Sequence, residues 1–221
     1  MDNPGLNDAE HHAALRSLDR INDLFGVNRH LWQTIQRTTR RPVQSLLDVG
    51  VGGGGFLRHV ARQSLLPSRL IALDFSLRAL MNGEARARTD PIDYREPMFR
   101  WTCADARRLP LSDGSVDVVT CSLFLHHFDE ADIERILREF RRVARIGIVI
   151  GDLVRSRTSL AMTWLATRLL TRSRVVHVDS ALSVRAALVP DELRALADQA
   201  GLRGAGIRRR FPFRMVLTWR R

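Results

Sequence analysis

The sequence contains no lysine, so all 35 of its basic residues are arginines, against 24 acidic residues and a formal net charge of +11. An excess of this size raises the question of a nucleic-acid partner. The arginines are dispersed along the chain, however, and between residues 132 and 145 they alternate with acidic residues in the manner of a solvated helix face. We therefore interpret the charge as a compositional bias first and as a binding surface second.

Cysteine and long apolar runs are also scarce. The two cysteines, Cys103 and Cys121, fall in predicted buried strands, which favours small core residues over a disulfide or a metal pair. No zinc-ligand spacing occurs, so no metal site is predicted. No apolar run reaches the ~18 residues that span a bilayer, and the polar, acidic N-terminus is unlike a signal peptide. We expect one soluble, cytoplasmic protein with a sizeable core.

Glycine is concentrated in one stretch, "LLDVGVGGGG", at residues 46–55. It lies between a predicted strand and a predicted helix, where glycines permit positive φ angles and let a ligand lie on the main chain. A second predicted strand ends in Asp74, at about the distance where nucleotide-binding folds place a carboxylate for the ribose hydroxyls. NAD and S-adenosylmethionine both fit this spacing. Asp48 favours S-adenosylmethionine, because a carboxylate repels a pyrophosphate and attracts sulfonium and ammonium groups.

Strands and helices alternate through most of the chain, which is typical of a parallel sheet covered on both faces. The predicted strands cover residues 43–49, 70–73, 99–103, 116–122 and 146–150, and the tail 204–219 reads as two short strands around Pro212. The predicted helices follow Gly53, run from Ser76 to about Arg86, and cover residues 130–145 and 190–200.

The pattern acidic-x-Gly-x-Gly-x-Gly at residues 48–54, the carboxylate after the second strand and the segment "CADARRLPLSDGSVDVVTCSLFLHHF" occur in this order. From about residue 44 onward the chain resembles class I S-adenosylmethionine-dependent methyltransferases of the small-molecule, methyltransferase type 11-like, branch. The resemblance implies a doubly wound, Rossmann-like α/β fold: a mostly parallel seven-stranded sheet with helices on both faces and a C-terminal antiparallel strand. It also implies that S-adenosylmethionine, and its product S-adenosylhomocysteine, bind at Asp48, Gly50, Gly52, Gly54, Asp74, Phe75, Asp105, Ala106 and Ser122.

Three further residues are candidates for catalysis. His126 and His127 follow the fourth predicted strand and Asp152 follows the fifth, where small-molecule members of the family often carry a histidine and an acidic residue. A histidine there would accept the proton of the methyl acceptor, and the carboxylate would hold the ring. Adjacent residues of a strand face opposite ways, so we expect one histidine to enter the site, with a preference for His127. A purely structural role for the pair stays open.

Two segments are expected to cover the acceptor side. Residues 1–40 read as a helical lid, with amphipathic stretches at 8–25 and 28–38, ahead of a methyltransferase domain at 41–221. Residues 153–189 read as a helical lid insertion, with an apolar helix around Trp164 flanked by arginines. His177 and Asp179 are candidates for the acceptor pocket or for a surface loop, and Arg29, or another arginine of the N-terminal helices, for the donor's carboxylate. The inserted helix could instead pack on the sheet or form a dimer face, so monomer and homodimer both stay open.

The segment after the fourth strand and the glycine segment narrow the class of methyl acceptor. The segment "SLFLHH" after the fourth strand replaces the Asn/Asp-Pro-Pro-aromatic segment of enzymes that methylate adenine or cytosine amino groups. The glycine segment also differs from the usual one of menaquinone and ubiquinone C-methyltransferases. We therefore expect in-line O-methylation of a small lipophilic acceptor of secondary metabolism, phenolic, polyketide or quinone-like, reached from a membrane surface. RNA methylation through the arginine-rich surface and S-adenosylmethionine binding without catalysis are the alternatives.

Overall fold

The sheet organises the whole molecule. The computed structural model describes residues 22, 25–64, 66–89, 99–171 and 173–221. Its strands are β1 (Ser45–Val49), β2 (Arg69–Asp74), β3 (Phe99–Cys103), β4 (Val116–Ser122), β5 (Ala144–Leu153), β6 (Gly206–Arg210) and β7 (Arg214–Arg220). They form one seven-stranded sheet in the order β3-β2-β1-β4-β5-β7-β6. β1 to β5 are parallel, β7 runs antiparallel between β5 and β6, and the predicted doubly wound fold is confirmed.

Helices cover both faces of this sheet. They are α1 (Val27–Thr39), α2 (Gly55–Ala61), α3 (Leu77–Arg88), α4 (Glu130–Val143), α5 (Arg157–Leu170), α6 (Arg174–Ala186) and α7 (Pro190–Gln199). Side-chain caps mark several starts: Ser76, as expected, accepts from the backbone N–H of Ala79, and Asp129 accepts from that of Asp132. The polar cap residues thus mark where α3 and α4 begin.

Two hydrophobic cores lie on opposite faces of the sheet. Along β1 the alternation of side chains sends Leu47 and Val49 into the core beneath α4 and α7, and Leu46 into the core beneath α1, α2 and α3. All five residues of β1 are buried. A strand buried on both faces lacks the polar alternation of a one-sided sheet, and β1 accordingly carries Leu46, Leu47 and Val49 without that alternation.

Two sequence-based boundaries shift in the structure. The predicted helix 130–145 ends at Val143, and β5 begins at once with Ala144, which pairs with Val116 of β4. β5 also continues beyond residue 150 to Leu153, because β7 pairs along its whole carboxyl end. Helix propensity alone does not show where pairing with a neighbouring strand ends a helix or extends a strand.

Cys103 is exposed, contrary to the expectation of a core residue. It ends β3, which is one of the two edge strands of the sheet, and its thiol contacts the carbonyl oxygen of Phe75 at 3.4 Å. Cys121, in central β4, is buried as expected. The same edge strand carries Trp101, whose ring lies so close to α3 that a Cβ on Gly83 would stand 2.7 Å from it.

The N-terminal part packs on the sheet. The predicted stretch 8–25 lies outside the described residues except for Asn22 and Phe25. The stretch 28–38 corresponds to α1, which begins after Gly26 in the left-handed conformation and buries Leu31, Trp32 and Ile35. These side chains join the core over β5 and β7, so α1 is a layer of the fold and its apolar side faces the sheet. Across the described part of the chain, no helix has the length and apolar character needed to cross a bilayer.

Candidate functional site

The glycine turn between β1 and α2 is fixed by backbone contacts with β2. Gly50, Gly52 and Gly54 have φ angles of 69°, 51° and 72°, a region that non-glycine residues rarely adopt. The N–H of Gly50 donates to the carbonyl of Leu73 at 2.8 Å, and the N–H of Gly52 donates to a carboxylate oxygen of Asp74 at 2.9 Å. Asp74 therefore holds the turn in place, in addition to the ribose contact predicted for it.

The glycines differ in what surrounds them. A Cβ on Gly50 would lie 2.1 Å from the ring of Phe124, and one on Gly54 would lie 3.0 Å from the ring of Trp101. A Cβ on Gly52 would meet no atom within 4 Å. Gly50 and Gly54 are thus required by packing. Gly52 instead presents bare backbone to open space, as a ligand-binding glycine does.

Asp48 lies buried at the carboxyl end of β1, beneath this turn. Burial, and secondly the charge of Asp74, hold its pKa well above the ordinary range of an aspartate. A buried carboxylate facing a second carboxylate is stabilised by a cation and destabilised by an anion. The electrostatics of the turn therefore fit a positively charged ligand and oppose a pyrophosphate.

A cleft of about 470 Å³ opens beside the turn, at the carboxyl ends of the strands. This is the size range of small-molecule sites and the expected place for one in an open α/β sheet. Seven predicted site residues line it, namely Gly50, Gly52, Asp74, Phe75, Ser122, His126 and His127. Five phenylalanine side chains also line it, namely Phe25, Phe75, Phe124, Phe128 and Phe213. The cleft thus offers flat aromatic surface next to the glycine turn.

Other predicted donor contacts lie beside or beneath the cleft. Asp105 accepts a bidentate hydrogen bond from Arg107, which lowers the pKa of Asp105. Ala106 is packed in the core under α4. Asp105 and Ala106, like Asp48 and Gly54, are not among the residues that line the cleft.

His126 lines the cleft and forms a buried pair with Asp152, which is not among the lining residues. Nδ1 of His126 lies 2.7 Å from Oδ1 of Asp152, and the backbone N–H of His126 donates to Oδ2 at 3.3 Å. Burial lowers the pKa of His126, but the charge and hydrogen bond of Asp152 outweigh burial, so the pKa lies above the ordinary imidazole value. Asp152 stays ionised because the paired imidazole and backbone N–H groups offset its own burial and lower its pKa.

The expectation that only one histidine faces the site is wrong. The pair lies in a 3₁₀ turn, Leu125–His127, and not in an extended strand, so the alternation of strand side chains does not apply. The two rings pack against each other with centroids 4.3 Å apart, and both line the cleft. The contact with Asp152 is made by His126, whereas the expected preference was for His127, which is exposed.

Arg214 is a cleft residue that sequence reasoning missed. It begins β7 opposite Leu153, and its Nη2 donates to Oδ1 of Asn22 at 3.0 Å. Its Nε is buried and has no hydrogen-bond partner among the described residues. Burial lowers the pKa of Arg214 to about 10, partly offset by Asp152. In a chain with 35 basic residues, nothing in the sequence singles this one out, since its position depends on β7 entering the sheet beside β5.

The insertion forms a helical hairpin, α5 and α6, along the cleft. It presents small side chains to the cleft, namely Thr163, Ala166, Thr167, Ser180 and Ser183. The large apolar side chains around Trp164 point away from the cleft and are exposed. The expectation that they line an acceptor pocket is therefore wrong, because the buried stripe of α5 consists of Ser159, Thr163 and Thr167.

The remaining candidates separate. Asp179 and His177 lie within α6, not in an irregular segment. Asp179 lines the cleft, whereas Nε2 of His177 hydrogen-bonds the carbonyl oxygens of Thr167 and Thr171, at 3.1 Å and 2.9 Å, and so ties the two helices of the hairpin together. Arg29 is exposed on α1 and does not line the cleft. Groups of three or more metal-ligating side chains are absent from the described ranges.

Comparisons with known proteins identify the fold and the domain. Residues 47–150 match the family model Methyltransf_11, described as a methyltransferase domain. The 2-phytyl-1,4-naphtoquinone methyltransferase of Trichormus variabilis is 29% identical over 130 residues, which cover 58% of this chain and 55% of that protein. The demethylmenaquinone methyltransferase of Porphyromonas gingivalis is 30% identical over 143 residues, covering 63% and 56%. The chain thus spans about half the length of these relatives.

Similarity to solved structures extends over nearly the whole chain. The plantazolicin methyltransferase BpumL, in complex with a pentazolic desmethylPZN analog and SAH, matches with a TM-score of 0.69 at 17% identity, over 96% of this chain and 91% of its own. At this identity the likeness concerns the fold, and the fold carries the glycine turn, Asp48 and Asp74 at the carboxyl ends of the first two strands. The chain therefore has the fold of S-adenosylmethionine-dependent methyltransferases, and its residues 47–150 match a methyltransferase domain.

Proposed function

We propose that the protein transfers the methyl group of S-adenosylmethionine to a small aromatic acceptor with an acidic hydroxyl, a phenol or a quinol, and that His126 removes the hydroxyl proton. One observation carries the proposal: His126, held by the buried carboxylate of Asp152, lines the same phenylalanine-lined cleft that begins at the glycine turn. Donor site, base and aromatic surface are thus contiguous.

The residues of the turn fit the donor. The bare backbone of Gly52 leaves room for close approach, Asp74 offers carboxylate oxygens to ribose hydroxyls, and the buried Asp48 provides the negative field that a sulfonium and an ammonium group require. S-adenosylmethionine supplies an intrinsically reactive methyl group, so the protein's task is to align the acceptor and to exclude water.

The proton step follows from the geometry of the pair. When Nδ1–H of His126 donates to Asp152, the lone pair of Nε2 is the basic position of the ring. A phenol with a pKa of ~10 is then deprotonated as its nucleophilic atom attacks, and Asp152 stabilises the resulting imidazolium. Arg214, with a buried Nε that lacks a partner among the described residues, is positioned to bind the oxygen on which negative charge develops.

We propose oxygen as the methylated atom, with ring carbon as the second candidate. A phenolate carries negative charge on oxygen and on the ortho and para carbons, so the same base serves both outcomes. The similar proteins favour a quinone-like acceptor, since they include a 2-phytyl-1,4-naphtoquinone methyltransferase and a demethylmenaquinone methyltransferase. The phenylalanine-lined cleft provides the aromatic surface that such a ring would stack on.

Donor binding is tested by calorimetry. We expect S-adenosylmethionine and S-adenosylhomocysteine to bind with low micromolar dissociation constants, about 8 kcal/mol, and NAD much more weakly. Asp74→Ala should weaken donor binding by ~1.5 to 3 kcal/mol through the loss of charge-assisted hydrogen bonds. Asp48→Asn should weaken S-adenosylmethionine more than S-adenosylhomocysteine, which lacks the sulfonium charge. Tighter binding of NAD would overturn the donor assignment.

Acceptor choice is tested with labelled donor and a panel of hydrophobic phenols, quinols, polar catechols, amines and RNA. We expect turnover of phenols or quinols, and a loss of ~100-fold or more in His126→Ala with unchanged donor affinity. Product fragmentation distinguishes O-methyl from C-methyl products. Labelling of RNA alone would favour the nucleic-acid alternative, and donor binding without turnover of any acceptor would favour a non-catalytic binder.

A further inference from the structure

The outward side of the α5–α6 hairpin is an exposed apolar face. Its members, here called the hairpin face, are Met162, Trp164, Leu165, Leu169, Val178 and Leu182. Leu169 is 75% exposed and Trp164 is 52% exposed. Single apolar residues are ordinary on protein surfaces, but six large ones exposed on two helices that pack on each other are more than a solvated hairpin needs.

The charges around the hairpin face are of one sign. Arg157, Arg168 and Arg185 are exposed on the two helices, and the guanidinium of Arg168 lies 4.2 Å from the centre of the Trp164 ring. The hairpin sequence contains one acidic residue, Asp179, and that side chain lines the cleft on the opposite side. The outward side therefore combines leucine and tryptophan with arginine and carries no described acidic side chain.

The combination of apolar side chains and arginines favours some binding partners of the hairpin face over others. Two hairpin faces brought together would place arginines of one copy opposite arginines of the other, which costs free energy. An anionic lipid surface matches both properties, because apolar side chains enter the boundary of the acyl chains while arginines meet the headgroups and tryptophan lies between.

We propose that the hairpin face docks on an anionic membrane surface. Docking would hold the hairpin, and with it one wall of the cleft, against the lipid. The proposal goes beyond the methyl-transfer reaction and does not depend on the identity of the acceptor, since vesicle binding is measured without turnover.

The test compares vesicles of phosphatidylcholine with vesicles in which about a third of the lipid is phosphatidylglycerol, by co-sedimentation with the full chain. We expect binding to the anionic vesicles, weakened by added salt, and a loss of about 10-fold or more in partitioning for the double variant Leu165→Glu/Leu169→Glu. Leu66→Glu, at an exposed leucine just ahead of the amino end of β2 and outside the hairpin, is the matched control and should bind like the parent. S-adenosylhomocysteine affinity should be the same in all three proteins.

Tryptophan emission locates the contact. The difference between the parent and Trp164→Phe isolates the emission of Trp164, which should be typical of water-exposed indole in buffer and shift to shorter wavelength on anionic vesicles. Equal binding of the double variant and the parent would overturn the proposal. So would a Trp164 emission already shifted in buffer, because another part of the chain or a second copy would then cover the face; loss of self-association in the double variant on sedimentation would identify the second copy.

Discussion

Three charged side chains act on the protonation of His126. Burial lowers the pKa of His126, Asp152 raises it above the ordinary value by charge and hydrogen bond, the charge of Asp179 also raises it, and Arg214 lowers it. A base of this kind becomes active as pH rises through its pKa, because only the neutral imidazole accepts a proton. The pH dependence of turnover therefore reports on the arrangement of these three side chains.

We predict that kcat/KM rises with pH through an inflection above ~6.5, the ordinary value for histidine. In Asp152→Asn the raising charge is lost while burial remains, so the inflection should move to lower pH. In Arg214→Met a lowering charge is lost, so the inflection should move to higher pH, with a higher KM if Arg214 binds the acceptor. Rate profiles of the three proteins check this. An unchanged inflection in Asp152→Asn would mean that another group titrates.

Sequence alone could propose this site but not assemble it. The positions of His126, His127 and Asp152 after consecutive parallel strands predict that they meet, because the carboxyl ends of such strands share one edge. The choice between the histidines depends on the 3₁₀ turn, which is a local departure from the strand period. Arg214 depends on the pairing of β7 with β5, a contact between segments about 60 positions apart, which no local pattern encodes.

At the scale of elements, two glycines of the glycine turn have different roles, one in packing and one in ligand binding. Gly50 is needed because Phe124 occupies the space of a side chain, whereas Gly52 faces open space. Both have positive φ angles, so alanine is strained at either position. The two substitutions are thus matched in backbone strain and differ in what the new methyl group meets.

We predict that Gly52→Ala lowers the free energy of unfolding by only about 1 kcal/mol but weakens donor binding at least ~10-fold, because the methyl group enters the donor's space. Gly50→Ala should lower the free energy of unfolding by about 3 kcal/mol or more through the clash with Phe124. Phe124→Leu in the Gly50→Ala background should restore part of that loss. Urea unfolding and calorimetry measure both quantities, and normal donor affinity in Gly52→Ala would contradict the assignment.

The helical hairpin shows where periodicity misleads. Sequence reasoning identified an apolar helix around Trp164, and α5 is indeed a helix. The assumption that its apolar side faces inward was wrong, because the inward side is a stripe of serine and threonine that lies against α6 and the cleft. Helices that pack on a protein core usually bury their apolar stripe. A helix whose apolar stripe binds a surface outside the protein leaves that stripe exposed.

At the scale of the whole molecule, the two ends of the sheet do different things. The carboxyl ends of the strands carry the cleft, and the amino ends are held by Asp117 in β4. Its carboxylate accepts from the backbone N–H of Gln44 at 2.8 Å and from Nε of Arg145 at 2.9 Å, while its own N–H donates to Oγ of Ser45. These contacts connect the starts of β1, β4 and β5 at the end of the sheet remote from the cleft.

We predict that Asp117→Asn lowers the free energy of unfolding by ~2 to 4 kcal/mol with little change in donor affinity, because a buried hydrogen-bonded charge is lost far from the cleft. Burial raises the pKa of Asp117, but Arg145 and backbone N–H groups outweigh it and lower the pKa. The stability that Asp117 contributes is therefore fully present above pH ~3.8 and is lost as the pH falls through its lowered pKa. The Asp117→Asn variant lacks this titration, so its free energy of unfolding should fall less on acidification than that of the parent.

Asp113→Asn is the control for that experiment. Asp113 also pairs with an arginine, Arg142 at 2.9 Å, but its side chain is 81% exposed. A screened surface pair contributes at most ~1 kcal/mol. Similar losses in unfolding free energy for the two variants would show that burial at the amino ends of the strands is not what stabilises the sheet.

Trp101 joins three elements and so constrains how this fold can change over evolutionary time. Its indole lies against Gly54 at the start of α2 and against Gly83 in α3, where a methyl group would stand 3.0 Å and 2.7 Å from the ring. The side chain at position 101 thus occupies the space that side chains at positions 54 and 83 would need. A lineage that gains a side chain at position 83 must shrink the residue at position 101, and the step taken alone passes through a clashing intermediate. Among aligned homologues, alanine or serine at position 83 should therefore accompany a residue smaller than tryptophan at position 101.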